Sequence, residues 1–154
     1  MIRFAKKSDL PQVNAIRRQV HEVHAEGRPD IFRRKFGKKL ASLIHDMFRE
    51  KCSRIVVADR DGEIGGFAVL DVIEKPKSPY SRVRRYLRVT EFGVDEKYRR
   101  QGIGKALMDF IKQYAAENGF DTVELDVWEF NEGALRFYES VGFQTYRRYM
   151  EYRL

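Results

Sequence analysis

Residues 91–107 read Glu91-Phe92-Gly93-Val94-Asp95-Glu96-Lys97-Tyr98-Arg99-Arg100-Gln101-Gly102-Ile103-Gly104-Lys105-Ala106-Leu107. A strand ends near Val94, a basic turn spaced by glycines follows, and a helix starts at about Ile103. The order has a physical meaning. The first N–H groups of a helix have no partner within it, and together with the helix dipole they attract phosphate. Gly102 and Gly104 allow the backbone to come close to such a group. Arg99, Arg100 and Lys105 can add charge-assisted hydrogen bonds. Two better-known phosphate motifs do not fit. A Walker A loop requires glycine where Arg99 stands and Ser or Thr where Ala106 stands. A Rossmann fingerprint requires a third glycine where Leu107 stands, and it follows a first strand rather than lying mid-chain.

Downstream, Ile103 to Asn118 forms an amphipathic pattern, with Ile103, Leu107, Phe110, Ile111 and Tyr114 on one face and Gly119 as its stop. Thr122 to Trp128 alternates as a strand does, Val123, Leu125 and Val127 against Glu124, Asp126 and Trp128. A short helix, Asn131 to Ser140, ends before Gly142, and Phe143 to Arg153 reads as a last strand.

Upstream, Ile2 to Phe4 reads as a first strand. Asp9 is an N-cap candidate with Pro11 in the first turn and Gln12 at the capping-box position. Leu10, Val13, Ile16 and Val20 carry the helix to the breakers Gly27, Pro29 and Asp30. A second helix is expected over Phe32–Arg49. Arg54 to Ala58 and Ile64 to Ile73 form a hairpin around Asp59-Arg60-Asp61-Gly62, and Arg84 to Val94 is the third long strand. The order β-α-α-β-β-β-α-β-α-β predicts a mixed α/β sheet with helices on both faces, in a single domain over residues 1–154.

The element Arg99-x-x-Gly102-x-Gly104 resembles the acyl-CoA pyrophosphate loop of the GNAT superfamily of N-acetyltransferases. Asn131-Glu132-Gly133-Ala134-Leu135-Arg136-Phe137-Tyr138-Glu139-Ser140-Val141-Gly142-Phe143 is similar to that family's second signature, in the right order after it. The resemblance implies a mixed, mostly antiparallel sheet of six to seven strands, splayed at its central strands. It implies acetyl-CoA as co-substrate, with the pantetheine arm on Phe92, Gly93 and Val94. The pyrophosphate is then expected on Arg99, Arg100, Gln101, Gly102, Ile103, Gly104 and Lys105. Asn131 takes the place of the family's cofactor-contacting asparagine, and Tyr138 that of the tyrosine that protonates the leaving thiolate. Direct transfer to an amine requires a base or a water chain leading to one, and an N–H near Val94 for the oxyanion. Glu91 and Asp126 are the two base candidates. By strict alternation Glu91 shares a face with apolar Leu87 and Val89, where burial raises a carboxyl pKa. Each carboxylate is equally readable as a structural partner of one of the arginines, and Tyr138 as a packed helix residue.

The acceptor site is expected in the front half, around His21, His24 and Arg28-Pro29-Asp30-Ile31-Phe32. Two histidines three residues apart lack an evident third ligand, so no metal site is expected. A single cysteine, Cys52, excludes an internal disulfide. The formal net charge of +7 suits a polyanionic ligand as well as nucleic acid. No helix-turn-helix, aromatic RNP strand or zinc spacing supports nucleic acid as a partner. No apolar run or signal core is present, so no membrane partner and a cytoplasmic location are expected. The competing expectations are an acetyltransferase acting on an amine acceptor and a catalytically silent acyl-CoA-binding module. Pro79-Tyr80, in the loop before the third long strand, is expected to add either to the acceptor pocket or to a homodimer contact.

Overall fold

The segments Ser53–Arg60 and Glu63–Lys75 carry near-continuous apolar runs, the pattern of strands covered on both faces. In the computed structural model, which describes residues 1–154, they are strands β2 and β3. Asp61 and Gly62 join them with φ of 56° and 94°, the two left-handed residues of a type I′ hairpin turn. β1 (Ile2–Phe4) adds antiparallel to β2, and β4 (Arg84–Val94) adds antiparallel to β3. β5 (Thr122–Leu125) lies parallel to β4, completing a sheet in the order β1-β2-β3-β4-β5.

Alternation sends each strand's side chains to two cores. On one face Ile55, Val57, Phe67 and Val69 pack with Leu10, Val13 and Ile16 of α1 (Leu10–Gly27) and Ile44 of α2 (Lys38–Arg49). On the other, Val56, Ala68, Leu70, Leu87 and Val89 pack with Leu107, Met108 and Ile111 of α3 (Ile103–Glu117). α4 (Glu132–Ser140) presents Phe137 and Tyr138 to the margin of this second core. The expected mixed sheet with helices on both faces is thus present.

The strand count differs from the expected six to seven: the sheet has five. Phe143–Arg153 forms no strand. Phe143 N–H bonds the Tyr138 carbonyl, but no residue beyond it takes part in a backbone–backbone hydrogen bond. The tail is held by side chains instead, Tyr146 Oη donating to Glu124 Oε2 at 2.8 Å and Arg28 donating to Glu151 at 3.1 Å. β5 stops at Leu125 rather than Trp128, because its pairing with β4 ends at Val89–Leu125. α2 starts at Lys38 rather than Phe32, because Phe32 and Phe36 turn onto α1 rather than winding into a helix. Asp9 and Gln12 do not form the expected helix cap. Asp9 accepts from Lys6 N–H at 2.7 Å and pairs with Arg3, whose hydrogen bond holds its carboxyl below the usual range. Gln12 instead clasps the β2–β3 turn, donating to the Gly62 carbonyl and accepting from Ile64 N–H.

Candidate active site

One residue in β4 organises the site. Val69 pairs with Glu91 and Leu70 with Val89, so Thr90 is an extra, unpaired residue, a β-bulge. Pairing with β5 stops at the same level, at Val89. Beyond it the two strands part, and a cleft of about 1240 Å³ opens between Thr90–Val94 and Leu125–Trp128. Asp95 N–H bonds the Gly65 carbonyl of β3. By alternation the N–H groups of Phe92 and Val94 then point away from β3, into the opening.

The bulge also overturns the expected face of Glu91. It shifts the phase of the strand, so Leu87 and Val89 face α3 while Glu91 and Gly93 face α1. There Arg17, whose side chain is 3 % exposed, grips the Glu91 carboxylate with two hydrogen bonds, Nε to Oε2 at 2.6 Å and Nη2 to Oε1 at 2.9 Å. Arg17 was not a sequence candidate, although the signal existed. It stands four residues after Val13 and three before Val20, on the buried stripe of α1.

One end of the cleft presents groups that can receive an anion. Gly102 begins α3 with φ of 81°, and Arg100 before it also has positive φ, 63°. No carbonyl of the chain accepts from the N–H groups of Gly102, Ile103, Gly104 or Lys105. Open space surrounds the place a Gly102 Cβ would take, whereas a Cβ on Gly104 would come 3.0 Å from Phe137 Cζ. Gly102 therefore leaves an approach open, and Gly104 lets α4 pack on the first turn of α3. Arg99, Arg100 and Lys105 line this end, together with Arg136, which sequence reasoning did not single out. Gln101 does not line it. Its amide turns back to the Lys97 carbonyl and to Arg60. Ile103 contributes backbone only, since its side chain is buried against Gly65 and Gly66.

Asn131 is the N-cap of α4, accepting from Ala134 N–H at 3.1 Å, and still lines the cleft. Tyr138 packs edge-on to Phe92 at 6.0 Å between ring centres, and burial pushes its phenol up to about 12. The hydroxyl is therefore protonated at neutral pH. Asp126 lines the cleft, is exposed and has no ion-pair partner.

The opposite end is aromatic. α1 lies across the parted strands. A Cβ on Gly93 would come 2.8 Å from Val20, and one on Gly27 would come 2.1 Å from the Phe130 ring. The chain after α1 is strapped to it. Arg28 holds Asp30 with two hydrogen bonds of 2.9 Å, which lower that carboxyl to about 2. His21 Nε2 donates to the Arg33 carbonyl at 2.6 Å. Phe32 stacks on His24 at 5.4 Å and meets Trp128 edge-on at 5.3 Å, while Arg17 and Arg18 lie over Phe36. The structure thus joins His21, His24 and Phe32 to the same cleft as Tyr138, Asn131 and the loop glycines.

The family model described as Acetyltransferase (GNAT) family matches residues 17–143. A four-substitution variant of the BH1408 protein of Bacillus halodurans shares the fold with a TM-score of 0.95 and 33 % identity, covering 100 % of this chain and 99 % of that one. N-acetyltransferase 8 of Rattus norvegicus is 30 % identical over 105 residues, 68 % of this chain and 46 % of that protein. An L-ornithine N5-acetyltransferase of Arabidopsis thaliana is 30 % identical over 94 residues, 61 % of this chain and 40 % of that protein. The chain spans less than half the length of these two curated relatives. With the family model covering both motifs and a full-length structural likeness beside it, the chain belongs to the GNAT acetyltransferase family.

Proposed function

We propose that this protein transfers the acetyl group of acetyl-CoA directly to a primary amine. The observation that carries the reading is the single cleft. It has free N–H groups and arginines at one end, parted strands in the middle and a buried, protonated tyrosine beside them. The donor set fits the co-substrate. Gly102, Ile103, Gly104 and Lys105 offer N–H groups to a pyrophosphate, and Arg99, Arg100 and Arg136 offer charge. Phe92 and Val94 offer the backbone edge of a strand to an extended amide-bearing arm. Bound there, acetyl-CoA supplies an activated thioester.

The chain's own groups supply the rest. An N–H of the open β4 edge near Val94 is placed to stabilise an oxyanion. The Tyr138 phenol gives its proton to the departing sulfur. Asp126 and the Glu91–Arg17 pair line the wall where the amine enters, and the unpaired Asp126 attracts it in its ammonium form. The relative that acts on the side-chain amine of L-ornithine supports an amine acceptor. Thiol release from acetyl-CoA should depend on added amine when L-ornithine, putrescine and 2-phenylethylamine are each supplied. Amine-independent hydrolysis alone would overturn the transfer reading.

A further inference from the structure

Both carboxylates that the sequence offers as bases are poorly disposed for that work. The two oxygens of Glu91 accept from Arg17, and accepting the amine's proton would break a buried ion pair. Asp126 is solvent-exposed, and no ion pair fixes its carboxylate in one orientation. A third group lines the same cleft.

α1 crosses the parted strands from Val20, against Gly93 of β4, to Gly27, against Phe130 beyond β5. Those seven steps along the helix span about 10 Å at ~1.5 Å each. His24 lies one turn after Val20, on the same face of the helix, and lines the cleft with Glu91 and Asp126. Its ring is fixed by stacking on Phe32 at 5.4 Å and by the edge of Phe130 at 6.3 Å. Neither ring nitrogen has a hydrogen-bond partner in the protein, whereas His21, one turn earlier, spends Nε2 on the Arg33 carbonyl. We infer that His24 is the base that takes the proton from the attacking amine, an inference resting on the acetyl-transfer reading above.

The protonation state agrees with the geometry. Partial burial lowers the His24 imidazole below its ordinary value, His21 on the same helix lowers it further, and Glu91 on β4 partly opposes both. The remaining charged groups near it are Arg17, paired with Glu91, Arg28, paired with Asp30, and Asp126 across the cleft. A neutral imidazole at pH 7 has a free lone pair. The step balances. The ammonium first gives one proton to solvent; the neutral amine nitrogen then forms a bond to the acetyl carbon, the carbon–sulfur bond breaks, the surplus proton on that nitrogen passes to His24, and the Tyr138 proton passes to sulfur. The imidazolium then releases its proton and the phenolate regains one through solvent.

The test compares His24→Gln and His24→Ala with the parent protein, using acetyl-CoA and whichever of L-ornithine, putrescine and 2-phenylethylamine releases thiol fastest. Turnover should fall by roughly 10²-fold or more in both variants, as loss of a general base does. Acetyl-CoA affinity by calorimetry should stay within about twofold, showing that the variants fold. Added imidazole should restore part of the rate to His24→Ala and none to the parent, a rescue that a packing role cannot produce. The acidic limb of the parent's pH profile should vanish in His24→Gln. Retained turnover and an unchanged acidic limb in His24→Gln would overturn the assignment while leaving acetyl transfer intact. Absence of thiol release by the parent with all three amines would overturn both.

Discussion

Arg17 holds both carboxylate oxygens of Glu91, at 2.6 and 2.9 Å, from a side chain that is itself 3 % exposed. Replacing Glu91 by Gln leaves the guanidinium buried beside a neutral group. Breaking one partner of such a pair costs about 3 kcal/mol or more, so urea unfolding should show a loss near that size. The acidic limb of the rate profile should persist, displaced to lower pH, because the Glu91 charge no longer raises the His24 imidazole. A stable variant with a lost limb would restore Glu91 as the base.

Gly102 adopts φ of 81° with open space around its missing Cβ. Valine there meets no neighbour but strains the backbone by about 1–2 kcal/mol, and it crowds the approach to the free N–H groups. Gly102→Val should fold, with a modestly lower melting temperature, and should bind acetyl-CoA at least tenfold more weakly by calorimetry. Unchanged affinity would remove the pyrophosphate from this turn.

Tyr138→Phe keeps the ring packed against Phe92, Phe137 and Phe143 and removes only the hydroxyl. Turnover should drop by roughly 10²-fold, the low end for general acid catalysis, with acetyl-CoA affinity nearly constant. The acid form is the working form, and its pKa is pushed up to about 12. Activity carried by Tyr138 is therefore lost only as pH rises toward 12. Any alkaline limb below about pH 10 should persist unchanged in the variant if another group titrates there.

Asn131 serves α4 and the cleft at once. Asn131→Ala should cost about 1 kcal/mol of stability through the lost cap, read by chemical denaturation. It should raise the apparent constant for acetyl-CoA more than that for the amine. An effect confined to the amine would move Asn131 to the acceptor end.

The turn from Val94 to Lys105 was legible because its signals are local: glycines, arginines and a helix start in sequence order set the strand end, the turn and the free N–H groups without help from the rest of the fold. The face of Glu91 was not. Thr90 looks like any strand residue, and its extrusion from the β3–β4 ladder is a property of the pairing rather than of composition. The start of α2 was misread for a related reason. Phe32 and Phe36 have helical spacing, but contacts with His24, His21 and the arginines of α1 outweigh local preference. The tail is rich in tyrosine, with Tyr146, Tyr149 and Tyr152, a composition that suits a strand. Composition, however, records compatibility with a sheet and not the presence of a neighbour to pair with. Arg17 and His24 lie on a helix whose pattern was read correctly. What they do depends on the strands that α1 crosses.

The residues that line the cleft all fall within two intervals of the chain, 17–40 and 89–141, and none falls in the 48 residues 41–88 between them. The β2–β3 hairpin, packed between α1 and α3, is thus a spacer that sets the distance between the two stretches. The later interval carries both signature motifs, while the earlier one contributes one helix and its strap. Under the proposed acetyl transfer, the residues of 17–40 other than Arg17 and His24 can change to meet a new amine while the later interval stays as it is. The same boundary marks where a chimeric gene should be cut to exchange acceptor preference between relatives.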